Sequence, residues 1–157
     1  MIKLNKFNLN EHGLPKEIQL SYVVLYVMAN HHVDEKFSRK DLKKLCPFYL
    51  GLPNNLRNKR SSNKSRQPLI DTYAEFELSS LFRTGLISRS KVDKKSPKYY
   101  INPLGCYLIN FYKDDLYGFI KKIKLLYKNR NLKSFPFMVD IIFNTVNDKY
   151  ISFKLNK

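Results

Sequence analysis

The stretch Leu81–Gly105 constrains this chain more than any other, because its residue order leaves one economical local path. An apolar-periodic run stops at Gly85, where a left-handed helix cap is cheapest without a Cβ. Leu86 and Ile87 then open a short strand, and Lys91 to Pro97 form a turn that is almost wholly polar. Tyr99, Tyr100 and Ile101 are strand formers on the return, and Asn102 with Pro103 ends them. The expectation is a helix, a ribbon with a lysine-rich tip, and a turn into another helix.

Upstream, Pro15 suits the first turn of a helix. Ile18, Leu20, Tyr22, Val23, Val24, Leu25, Val27 and Met28 make that helix apolar on nearly all sides, so it should be buried. Ser38 and Asp41 read as a capping box for a helix Arg39–Cys46, with Leu42 and Leu45 inward and an end at Pro47. After Gly105, Ile109, Tyr112, Leu116, Phe119, Ile123 and Leu126 recur at heptad spacing along one long helix. Gly118 within it weakens the helix. Such a stripe is either a core face or a seam between copies. Further on, Met138, Ile141, Ile142 and Val146 suggest a short helix, and residues 150–155 alternate like a strand.

Charge limits the partners. Lysine and arginine number 29 against 13 acids, a formal net charge of +16, which points to a polyanion, nucleic acid before membrane. Lysine supplies 22 of those cations, as in chains encoded by AT-rich DNA, but that bias would also raise Asp and Glu. The imbalance therefore stands. Residues 47–68 concentrate it: Arg57, Lys59, Arg60, Lys64 and Arg66 have no acid among them. A loop of that length is either a solvated insertion or a basic arm that closes on phosphates, and five uncompensated cations favour the arm.

No apolar run approaches bilayer length, the N-terminus lacks a signal-peptide pattern, and Cys46 and Cys106 have no metal-type spacing. A cytoplasmic, reduced chain without membrane contact is expected. His12, His31 and His32 assemble no ligand set, the five glycines are scattered, and Asp114–Asp115 reads as a solvated helix face. The expectation is no enzyme, no metal and no cofactor.

Leu81, Gly85, Leu86 and Ile87, followed by a charged turn and then Tyr99 to Gly105, resemble winged helix-turn-helix transcriptional regulators of the MarR and PadR type. The resemblance covers about residues 15–105 and is strongest in its last third. It implies a mainly α fold with a small β-ribbon, a winged helix-turn-helix followed by a C-terminal helical extension. Residues 1–105 would be the winged-helix domain with a basic insertion at about 47–68, and 106–157 a long helix and tail. The recognition helix would be roughly Ile70–Thr84 and the wing Leu86–Ile101.

That resemblance also implies double-stranded DNA as partner and a homodimer joined through Ile109, Tyr112, Leu116, Phe119, Ile123 and Leu126. Phosphates would meet Arg89, Lys91, Lys94, Lys95 and Lys98 in the wing, besides the five cations of the arm. Thr72, Tyr73 and Ser79 would face the bases. Asp71, Glu75 and Glu77 oppose this, since carboxylates in a phosphate-lined groove repel, although Asp71 suits an N-cap and Glu75 the helix dipole. Two other roles stay open: a replication or packaging factor, and a protein-interaction module using the acidic helix. No polar cluster marks a small-molecule effector.

Overall fold

The computed structural model describes residues 2–31, 36–90 and 97–129. They form a mostly helical protein with one small antiparallel sheet. At the centre is α1 (Leu20–His31), where every residue from Leu20 to Leu25 is buried, with Val27 and Met28. A helix apolar all round must be enclosed. Around it pack α2 (Arg39–Leu50), α4 (Leu69–Thr84) and α5 (Pro103–Phe111), with the one-turn α3 (Asn54–Arg57) between α2 and α4. The last described helix, α6 (Leu116–Lys128), sets Phe119 edge-on against Tyr22 at 5.3 Å between ring centres. The Tyr22 hydroxyl donates to the Lys113 carbonyl at 2.8 Å, tying α1 to the α5–α6 joint. None of these helices is long and apolar enough to cross a membrane.

Gly85 caps α4 at φ +82°, and the chain turns into β1 (Ile87–Arg89). This strand pairs with β2 (Tyr99–Ile101), Ile87 opposite Ile101 and Arg89 opposite Tyr99. Phe37 adds a third rung that the sequence did not announce. Its N–H donates to the Tyr99 carbonyl at 2.8 Å and its carbonyl accepts from Tyr99 N–H at 2.7 Å. Asn102 locks the ribbon to the next helix: its Oδ1 accepts from Gly105 N–H at 3.1 Å, and its amide donates to the Gly85 carbonyl. A Cβ on Gly105 would collide with the Leu86 carbonyl, so this crossing needs glycine. At the start of α2 the capping box forms, with Asp41 N–H donating to Ser38 Oγ and Ser38 N–H to Asp41 Oδ2. That second bond is the main reason the Asp41 carboxyl lies below its ordinary pKa.

Several sequence expectations need correction. Pro15 is not in a helix; it bridges to Leu9, and α1 is entered through a 3-10 turn at Glu17–Gln19. Helix α2 does not stop at Pro47 but runs to Leu50 and ends on Gly51 at φ +61°. Pro47 is buried inside it and has no N–H for the Lys43 carbonyl. Arg57 Nη2 reaches that carbonyl instead, at 3.4 Å. The single long helix after Gly105 is broken between Phe111 and Leu116. Gly118 explains the break: its N–H donates to the N-cap Asp115 at 2.9 Å, and a Cβ there would strike the Asp115 carboxyl and the Tyr112 ring. Asp114 and Asp115 thus sit at a helix joint rather than on a helix face. The expected helix and strand in 135–157 lie outside the described residues.

Candidate nucleic-acid interface

Helix α4 has two faces of different chemistry. Ile70, Ala74, Leu78 and Leu81 point into the core, as 3.6-residue periodicity requires. Thr72, Phe76, Ser79, Ser80 and Arg83 fall on the opposite side, with Phe76 57% exposed. Of the acids that argued against a reading helix, Asp71 and Glu77 are buried, and half-buried Glu75 borders the outer face beside Ser79. Asp71 Oδ1 meets Arg57 Nη1 at 2.8 Å, Glu75 Oε1 meets Lys43 Nζ at 2.7 Å, and buried Glu77 accepts from the Tyr127 hydroxyl at 2.9 Å. Asp71 is not the N-cap; that position is Pro68, and Asp71 lies within the first turn.

Burial sets the protonation of this set. It raises the Asp71 carboxyl above its ordinary value, with the Arg57 guanidinium pulling part of the way back. Glu77 is pushed up to about 7 by burial, lowered by the Tyr127 hydrogen bond and raised further by the Glu17 charge. The Tyr127 hydroxyl rises well above its usual range for the matching reasons, burial first and then the Glu77 charge. Burial also raises Cys46, within α2, to about 12, which removes it as a thiolate nucleophile.

The basic segment is shorter and more built than an arm of residues 47–68. Its beginning belongs to α2 and its middle to α3. The remainder is pinned to the start of α4, where Leu69 N–H donates to the Lys59 carbonyl at 2.7 Å. Arg60 Nη1 donates to the Ser65 carbonyl at 2.6 Å and Ser62 N–H to Ser65 Oγ at 3.1 Å, so the loop curls on itself. Arg57 is held inward by Asp71 and the Lys43 carbonyl. Lys59, Arg60, Lys64 and Arg66 are exposed, and none is ion-paired among the described residues.

At the far end of α4 the ribbon supplies the second group of cations. The exposed Arg89 guanidinium lies over the Phe82 ring at 4.7 Å, a cation–π contact that fixes it beside the end of α4. Lys98, just before β2, is exposed, and its carbonyl accepts from Ser90 N–H at 2.7 Å. Lys91, Lys94 and Lys95 lie outside the described residues.

Among the expected base-facing residues, Ser79 is on the outer face. Thr72 is there too, but its Oγ1 accepts from Gln67 Nε2 at 3.2 Å. Tyr73 is on the flank, where its hydroxyl accepts from Asn10 Nδ2 at 2.9 Å. Sequence reasoning passed over Phe76, although its spacing of four from Thr72 and three from Ser79 marks the same face. The stripe assigned to a dimer seam is also placed: Ile109, Tyr112, Phe119, Ile123 and Leu126 are buried in the chain's own core, with Leu116 packed against it.

No family model matches this sequence, and neither the curated proteins nor the solved structures give a match.

Proposed function

We propose that this protein binds double-stranded DNA as a winged helix-turn-helix and acts by occupancy, as a transcriptional regulator, with no chemistry of its own. In this reading α4 enters the major groove, the β1–β2 ribbon is the wing, and the loop before α4 is a second phosphate clamp. The order α1, Phe37 rung, α2, α4, β1, β2 supports it. One observation carries it: Glu75, the one carboxylate bordering the outer face of α4, is already neutralised by Lys43, and exposed cations without an ion pair among the described residues stand at both of its ends. A helix of 16 residues is about 24 Å long, and the major groove is about 12 Å wide. Cations at its two ends are therefore outside the stretch that meets base edges, where phosphates lie. The reading requires only one copy, since the heptad stripe is inside the fold.

Fluorescence anisotropy of a labelled random-sequence duplex across a salt series tests this. Six described cations, Lys59, Arg60, Lys64, Arg66, Arg89 and Lys98, should give a log–log salt slope approaching about −5, at roughly 0.9 per neutralised phosphate. Weak binding at low salt, or binding indifferent to salt, would overturn the proposal.

A further inference from the structure

We infer that Phe76 reads the 5-methyl group of thymine and gives this protein a preference for A·T-rich duplex. This rests on the DNA-binding reading above and concerns how that site discriminates. A single exposed phenylalanine means little by its exposure alone. Its position is what counts: Phe76 sits at the middle of the outer face of α4, one turn from Thr72 on one side and from Ser79 and Ser80 on the other.

The rest of that face narrows the available chemistry. Guanine and adenine are read by bidentate bonds from Arg, Lys, Asn or Gln. From Leu69 to Phe82 the helix has none of these four residue types. The nearest, Gln67, is occupied at both ends, donating through Nε2 to Thr72 Oγ1 and accepting at Oε1 from Lys43 Nζ at 3.4 Å. Arg83 is in the last turn, next to the ribbon and the phosphates. What remains at the centre is the Phe76 ring, with the Thr72 methyl, a smaller apolar group, one turn away. A serine or threonine hydroxyl bonds several base edges and discriminates weakly, whereas an apolar contact with the thymine methyl is specific to one base.

The test measures affinity for poly(dA)·poly(dT) and poly(dA)·poly(dU) duplexes of equal length, differing only in that methyl, with the intact protein and with Phe76→Ser. The site is exposed, so the variant keeps the core intact. The intact protein should bind the thymine duplex about four-fold more tightly per methyl contact, the equivalent of about 0.8 kcal/mol for one buried methyl-sized group. In Phe76→Ser the two duplexes should bind alike. Tight, salt-sensitive binding with no thymine preference in the intact protein would overturn the inference and leave DNA binding standing. A preference that persists in Phe76→Ser would also overturn it, assigning the difference to duplex shape or to the Thr72 methyl. Binding to neither duplex would remove the DNA reading itself and this inference with it.

Discussion

The seam between α2, α3 and α4 and the loop that follows it are built from similar charged residues, yet they do opposite things with them. In the seam, Arg57, Asp71, Lys43 and Glu75 pair at 2.7–2.8 Å. Three residues beyond Arg57, Arg60 touches only its own loop, and Lys59, Lys64 and Arg66 have no ionic partner among the described residues. Sequence reading pooled all five cations as one basic arm. Burial divides them: a charge withdrawn from water needs a counter-charge, while one at the rim can wait for a phosphate.

The largest effect should come from the stripe that could have been a seam between copies. Phe119→Ala should lower unfolding free energy by about 3–5 kcal/mol in urea denaturation, as for a buried core ring. The loss should not depend on protein concentration. A midpoint that moved with concentration would restore the intermolecular seam.

Next is the pH dependence from Glu77. Its carboxyl titrates at about 7 folded against 4.5 as the ordinary value, so the folded state holds the proton more tightly. The stabilisation is fully present below about pH 4.5 and is lost as pH rises through about 7. At roughly 1.4 kcal/mol per pKa unit, this amounts to about 3 kcal/mol. Glu77→Gln keeps an acceptor for Tyr127 and should flatten stability between pH 4.5 and 7.5. An unchanged slope would mean that Glu77 is not the titrating group.

Asp71→Ala should cost about 2–3 kcal/mol, below the ~3–5 of a fully buried pair, because the Arg57 side chain keeps 29% exposure. Adding Arg57→Ala should recover part of that loss. If the double variant were no better, the pair would not be coupled, and the contrast between seam and loop would weaken.

The smallest effect on stability belongs to the loop. Lys64→Ala with Arg66→Ala should change unfolding free energy by less than about 0.5 kcal/mol. The same variant should reduce the DNA salt slope by about 1.8. Intact affinity and slope would remove the loop from the interface.

Much of the local structure was legible because it follows from neighbours in sequence. The Ser38–Asp41 capping box, the left-handed Gly85, the ribbon and the all-round apolar α1 each rest on a few adjacent residues. Pro47 was misleading because a helix can absorb a buried proline when a distant group, here Arg57, serves the orphaned carbonyl. The heptad after Gly105 was misleading because spacing does not record a joint that Asp115 and Gly118 make together. Of the residues expected at the candidate interface, Ser79 lies on the outer face of α4, and Lys59, Arg60, Lys64, Arg66, Arg89 and Lys98 are exposed. Phe76 was missed because an apolar residue in an apolar-rich helix looks like core until its direction is known.

By itself the sequence determined that α1 is apolar all round, where α2 is capped at its start and α4 at its end, and that the chain carries a formal net charge of +16. Those properties come from backbone sterics, short-range hydrogen bonds and a sum of charges. Only the tertiary structure decided which charges face water. The three acids of α4 are answered by residues at 43, 57 and 127, from three other helices. Pairings over such separations depend on packing geometry, so the helix that reads as acidic in sequence has two acids buried and the third, Glu75, neutralised by Lys43.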